Sequence, residues 1–285
     1  MRNHHHTRRR RGCAAPFLLF LALLIGGGLF LYWSNNTLDV HEETVYSKAL
    51  PTSFDGLRIV HLSDLHGKQF GENNAMLLRA VSDAQPDLIV ITGDLIDSAE
   101  QYDDVPALAD GLSAIAPTYY VTGNHEWAVR QVSELKDLLR AHSVRVLSDE
   151  YELWQRGSDT LAIAGVDDPN GPADQKTGQE LRSEISADYT ILLAHRDTVE
   201  AYADWGYDLV LCGHGHGGVI RIPILDKGLI SSYHTLFPEY DGGVYTFDGY
   251  TCVVSRGLGN NAVPFRTFRL FNRPDIPVIT LRSAS

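Results

Sequence analysis

The sequence predicts an α/β domain built on a largely parallel sheet and preceded by one membrane span. Three observations carry this. Apolar, β-branched runs of strand length alternate with stretches of helical spacing from Leu57 to Thr122. Five short clusters of Asp, Asn and His fall mostly at the ends of such runs, where α/β proteins place their chemistry. No charged residue occurs from Cys13 to Leu38.

The N-terminus divides into a basic tail (1–13), a span (14–33) and a short linker (34–38) ahead of the domain (39–285). Ala14 to Trp33 is almost wholly apolar, and at about 1.5 Å per residue it just crosses a hydrocarbon core of about 30 Å. Arg8 to Arg11 hold the tail in the cytoplasm, while Tyr32 and Trp33 suit the far interface. The domain is therefore expected outside the cytoplasm, on a single-pass anchor in the cell membrane. A cleavable signal peptide is the competing reading; no A-x-A site follows Leu31, which favours an uncleaved anchor. Thr7 to Arg11 also forms an incomplete twin-arginine export signal. His4 to His6 read as part of a disordered basic tail.

Within the domain, Val40 to Tyr46 alternates as an edge strand does, and Leu57 to Leu62 is an apolar strand. Glu72 to Ala84 has helical spacing, Leu88 to Thr92 is a buried strand, Val105 to Ile115 a helix and Thr118 to Thr122 a strand. After a helix over Ser133 to Ala141 come shorter strands at Val144 to Leu147, Tyr151 to Gln155 and Leu161 to Gly165. Asp167 to Gly178, rich in Asp, Pro and Gly, reads as a surface loop. Tyr189 to Ala194 and Leu209 to Cys212 are strands with a helical Thr198 to Asp204 between them. Gly243 to Phe247, Thr251 to Ser255 and Val278 to Leu281 complete a strand-rich C-terminal part, and there is no internal repeat.

The clusters are S-D-L-H at Ser63 to His66, G-D-L-I-D at Gly93 to Asp97, G-N-H-E at Gly123 to Glu126, L-A-H at Leu193 to His195 and G-H-G-H at Gly213 to His216. Together they offer oxygen and imidazole ligands for two neighbouring metal ions, the equipment of metal-assisted phosphate-ester hydrolysis. Asp64 and His66, two apart, point to one side if their strand continues, so both can grip one ion.

Each cluster alone has a bland reading. A lone Asp after a strand is usually a turn or cap, Asn124 after Gly123 satisfies a left-handed turn, and a lone His195 is more often a core histidine than a ligand. The ordered series is what points to metal. His41, His61, His142 and His234 stand outside it and read as ordinary, with His61 the strongest exception because it leads to Asp64.

This series resembles the calcineurin-like metallophosphoesterases from about Asp39 to the C-terminus. S-R-G-L-G at Ser255 to Gly259, V-P-F-R and R-P-D-I-P-V-I are similar to the closing segment of the bacterial membrane-associated branch. The resemblance implies a four-layer α/β/β/α sandwich of two mixed sheets. It implies that Asp94 bridges both ions, that Asn124, His195 and His214 complete the second site, and that His216 joins Asp64 and His66 at the first. In the family's pattern His125 is no ligand but faces the substrate as a general acid, oriented by Asp97. The nucleophile is then water between the metals, and manganese, iron or zinc all suit the donor set.

One departure narrows the substrate. The serine/threonine protein phosphatases of this superfamily carry Arg directly after the second Asp of G-D-x-x-D, where this chain has Ser98. Arg256 and Arg266 are alternative phosphate contacts, each with an equally good reading as a structural arginine.

Composition sets outer limits. The chain of 285 residues carries a formal charge of −12; setting aside the five positive charges of Arg2 and Arg8–Arg11 leaves −17 for the rest. So acidic a body, without a basic stripe, does not favour nucleic acid as a partner. Three cysteines make no disulfide framework: Cys13 precedes the span, and Cys212 and Cys252 read as core residues. The expected function is a membrane-anchored phosphohydrolase acting on a phosphodiester, phosphomonoester or diphosphate of a small molecule, lipid or cell-wall precursor. A metal-stabilised binding or scaffold protein on the same fold is the alternative.

Overall fold

The many leucines and alanines favour helix over the first apolar stretch, and the computed structural model has α1 there, Ala14–Asn36. The structure describes residues 14–231, 233–260 and 268–284, so the basic tail, Cys13 and Arg266 lie outside the described residues. At 23 residues α1 is about 34 Å long. From Ala15 to Leu29 its side chains stand exposed. The helix runs three residues beyond the expected Trp33 because its end is held by the domain. Ser34 is buried, and Asn35 Nδ2 donates to the Arg269 carbonyl at 2.9 Å while Asn35 Oδ1 accepts the Arg269 N–H at 2.6 Å.

Beyond α1 come β1 Asp39–Ser47, β2 Arg58–Leu62, α2 Ala75–Asp83, β3 Leu88–Thr92, α3 Val105–Ile115 and β4 Thr118–Val121. Next are α4 Asn124–Val129, α5 Val132–Ala141, β5 Arg145–Val146, β6 Glu150–Arg156, β7 Asp159–Gly165 and α6 Gly178–Glu184. The chain closes with β8 Tyr189–Leu193, β9 Leu209–Cys212, the short pair β10 Arg221–Ile222 and β11 Lys227–Gly228, then β12 Gly243–Thr246, β13 Thr251–Val254 and β14 Asp275–Ser283. Short α4 and α6 and the β10–β11 pair are absent from the sequence reading, being too brief for a periodic signal. Thr198 to Asp204 is a 3-10 segment, Val199–Trp205.

Two six-stranded sheets form, ordered β1-β14-β2-β3-β4-β5 and β12-β13-β9-β8-β7-β6. Both are mixed: β14 runs antiparallel to β2, and β12 and β6 run antiparallel to their neighbours, while the rest pair parallel. As expected, β1 lies at a sheet edge.

The strand period of two sorts apolar side chains into three cores. From β3, Leu88 and Val90 enter the core between the sheets with Ile191, Leu209 and Val253, whereas Ile89 and Ile91 face the helices that include α2, α3 and α5. From β9, Leu209 and Leu211 join the central core while Val210 and Cys212 pack outward with Leu181 of α6 and Tyr202. The result is the expected four-layer α/β/β/α sandwich. Cys212 and Cys252 are buried free thiols whose sulfurs lie 3.7 Å apart.

Candidate metal centre

The C-terminal ends of β2, β3, β4, β8 and β9 converge on one crevice, the place where open α/β sheets bind ligands. Asp64 and His66 follow β2, but the strand stops at Leu62 and both residues take left-handed backbone, each with φ of 51°. They reach a common point through two tight turns, not through strand alternation. Gly93 shows how close this crossing is: a Cβ there would lie 2.5 Å from the Gly123 nitrogen.

Asp64, His66 and His216 form the first group. His66 Nε2 lies 3.1 Å from His216 Nε2, and Asp64 Oδ1 lies 3.6 Å from His216 Nε2 and 4.0 Å from His66 Nε2. Asp94, His195 and His214 form the second, joined by Asn124. His195 Nε2 is 3.2 Å from Asp94 Oδ2, 3.1 Å from Asn124 Oδ1 and 3.0 Å from His214 Nδ1. Donors held about 2.1 Å from one ion stand roughly 3.0 to 4.2 Å apart, so each group has the spacing a divalent cation requires. Two imidazole nitrogens aimed at one another in a buried site are also poor company without a cation between them.

Asp94 links the groups through one oxygen. Its Oδ2 lies 3.8 Å from His66 Nε2 as well as near His195, while Oδ1 accepts the His125 backbone N–H at 2.9 Å. Oδ2 is thus the Asp94 oxygen that faces both groups.

Around these donors a second layer fixes ring orientation. His195 Nδ1 donates to the Thr92 carbonyl at 2.8 Å, leaving Nε2 for the centre. Asp97 Oδ1 lies 2.5 Å from His66 Nδ1 and 2.7 Å from His125 Nδ1. Burial opposes ionisation of Asp97, yet the hydrogen bonds from these two imidazoles lower it to about 2. Burial likewise disfavours protonated His125, but the Asp97 hydrogen bond and the charges of Asp94 and Asp97 raise it to about 9.

Sequence reasoning assigned no role to Glu126. Its buried carboxylate accepts backbone N–H groups of Gly123, Asp94, Leu95 and Ile96, at 2.7, 3.0, 2.6 and 3.3 Å. It thereby clamps the Asp94 turn to the start of α4. The signal was present as a Glu three residues after Gly123, the spacing of a helix N-terminal box.

Arg196 was missed too. Its guanidinium grips Asp168 at 2.6 and 3.1 Å, and Nη1 reaches 3.2 Å from His214 Nε2. Asp167 and Asp168 are buried, so the supposed surface loop begins inside the protein. Arg256 is committed elsewhere, bonding Asp275 and Asp39, and is structural. His61 is buried on Thr92 Oγ1 at 2.8 Å, apart from the donor groups.

Residues 57–218 match the family described as calcineurin-like phosphoesterase. The chain belongs to that family. A Bacillus subtilis relative, the uncharacterized metallophosphoesterase YkuE, is 30% identical and covers 91% of each chain. A bovine transmembrane protein with metallophosphoesterase domain is 33% identical over 82% of this chain and 55% of its own. The Escherichia coli phosphodiesterase YaeI is 26% identical over 79% of this chain and 82% of its own. As a calcineurin-like phosphoesterase the chain is a metal-dependent hydrolase, and the family works with a dinuclear metal site. An apolar N-terminal helix of spanning length and a transmembrane relative together support membrane association.

Proposed function

We propose that this chain is a single-pass, membrane-anchored phosphohydrolase that cleaves a phosphodiester or diphosphate of a lipid or cell-wall precursor on the extracytoplasmic side. The observation that carries the reading is the position of Asp94 Oδ2, 3.8 Å from His66 Nε2 of one donor group and 3.2 Å from His195 Nε2 of the other. Asp64, His66, His216 and Asp94 would hold one divalent ion, and Asp94, Asn124, His195 and His214 the other, as manganese, iron or zinc. Such a pair supplies charge neutralisation on the phosphoryl oxygens and an activated water.

The chain's own residues do the rest. His125, outside both donor sets, keeps a proton at Nε2 while Nδ1–H is fixed on Asp97, and passes that proton to the departing oxygen. Arg196, about one-fifth exposed beside His214, meets a phosphoryl oxygen. Ser98 begins a 3-10 turn at Ala99–Asp104 and offers no cation, which speaks against phosphoprotein substrates. The name of the Escherichia coli relative supports a diester.

The test compares bis-p-nitrophenyl phosphate with p-nitrophenyl phosphate, with and without manganese. Metal-dependent hydrolysis with the diester preferred is expected; hydrolysis indifferent to chelation contradicts the reading.

A further inference from the structure

Beyond α1, eleven large apolar side chains stand exposed among the described residues, and seven of them lie between Ile224 and Phe271. Ile224 is 94% and Leu225 61% exposed at the turn joining β10 to β11. Leu236 and Phe237 are exposed on the adjoining strip, which is tied in by the Phe237 N–H to the Leu229 carbonyl at 3.0 Å and the Leu229 N–H to the Ile220 carbonyl at 2.7 Å. The hairpin in turn bonds through the Arg221 N–H to the Leu270 carbonyl at 3.0 Å. Phe271 follows, and its ring lies 4.9 Å from that of Phe30 on α1. A series of exposed apolar groups is therefore tied, contact by contact, from the end of the helix to the hairpin tip. Monomeric soluble domains rarely leave so many large apolar groups together.

We propose that this surface rests on the lipid bilayer, with Ile224, Leu225, Leu236 and Phe237 entering the interface, so that the metal centre opens toward lipid phosphoesters. Continuity with the helix selects the bilayer as occupant. Leu18 to Leu29 offer only apolar or glycine side chains to their surroundings, and Tyr32 and Trp33 form an interfacial belt one turn past Phe30. Any bilayer that holds this helix ends beside Phe271. The tip Ile222-Pro223-Ile224-Leu225 has no charge; the exposed Asp226 that follows is paired with Arg221 at 2.9 Å, and with Lys227 it suits the headgroup level. The same strip reaches the centre, since Tyr233 packs on the His214 ring at 5.0 Å.

The inference rests on the reading of α1 as a membrane span, and its test separates the two. In full-length protein with Cys13→Ser, where the remaining Cys212 and Cys252 are buried, one accessible cysteine at a time is placed at Leu21, Ile224, Phe237 or Ser158 and labelled with an environment-sensitive fluorophore. The protein is then placed in phosphatidylcholine and phosphatidylglycerol vesicles carrying doxyl lipids. Ile224→Cys and Phe237→Cys should be quenched at a depth of about 5–10 Å, the range of interfacial apolar faces. Leu21→Cys should report the membrane centre, and Ser158→Cys, in the turn just before β7 opposite the crevice, should stay unquenched. Quenching at Leu21→Cys without quenching at Ile224→Cys or Phe237→Cys overturns the docking surface and leaves the anchor standing. No quenching at Leu21→Cys overturns the anchor and the docking with it. Hydrolysis of bis-p-nitrophenyl phosphate by the same samples reports on the phosphoesterase reading by itself.

Discussion

Asp97 Oδ1 stands 2.7 Å from His125 Nδ1, and the same oxygen stands 2.5 Å from His66 Nδ1. One carboxylate oxygen thus orients both the proposed general acid and a proposed metal ligand. Asp97→Asn should therefore lower metal affinity and turnover together, by about 10–100-fold in either quantity. Metal titration beside kinetics checks this; a turnover defect with unchanged metal affinity would mean that the His66 contact has no energetic role.

His125→Asn should behave differently. Its side chain joins neither Asp64–His66–His216 nor Asp94–His195–His214, although it lies with His66 and Asp97 in a third cluster, so both ions should remain while turnover falls by about 10²–10⁴. The defect should shrink for nitrophenolate leaving groups, which need little protonation. An equal loss for all leaving groups would reassign His125 to positioning the phosphoryl group.

Glu126 is a structural clamp on the Asp94 turn. Glu126→Ala removes the acceptor of four backbone N–H groups, at a cost of about 1–3 kcal/mol for each that stays buried and unpaired. Thermal unfolding should show a large drop in Tm even in the presence of chelator, which separates the effect from metal loss.

His61 gives a pH signature. Burial lowers it to about 4, with the charge of Asp275 opposing only in part, whereas an unfolded histidine titrates near 6.5. Because the folded pKa is the lower one, the unfolded chain binds the extra proton, and stability is lost as pH falls from about 6.5 toward 4. At pH 5 the loss is about 2 kcal/mol. His61→Gln should remove this part of the acid sensitivity, so its Tm should gain on the wild type between pH 7 and pH 5. An unchanged difference between the two proteins would show that His61 does not titrate in that window.

Topology has its own check. Ser158 is exposed on the domain, so in intact cells Ser158→Cys should react with a membrane-impermeant maleimide. Protection until the cells are lysed would place the domain in the cytoplasm.

The strand core was legible because its residues are apolar on both faces: the expected Leu88 to Thr92 is β3 as observed, and Val105 to Ile115 is α3. The clusters proposed as donors were legible because each begins after such a strand as a short polar break. Backbone geometry was not. Asp64 and His66 converge through left-handed turns, a conformation that an Asp-Leu-His run does not announce. Arg196 and Asp168 meet across 28 residues, and an Asp-Asp-Pro-Asn-Gly run carries the signature of a surface turn, so burial of that pair had no local cue. The last turn of α1 owes its form to Arg269, more than two hundred residues away.

Metal stoichiometry tests the central claim most directly. Full-length protein loaded with manganese and freed of excess should carry two ions per chain by mass spectrometry, and His125→Asn should carry the same. Asp94→Asn, altering the shared carboxylate, should lose metal from both sites. One ion or none in the wild type, or two retained in Asp94→Asn, would contradict a dinuclear centre bridged by Asp94.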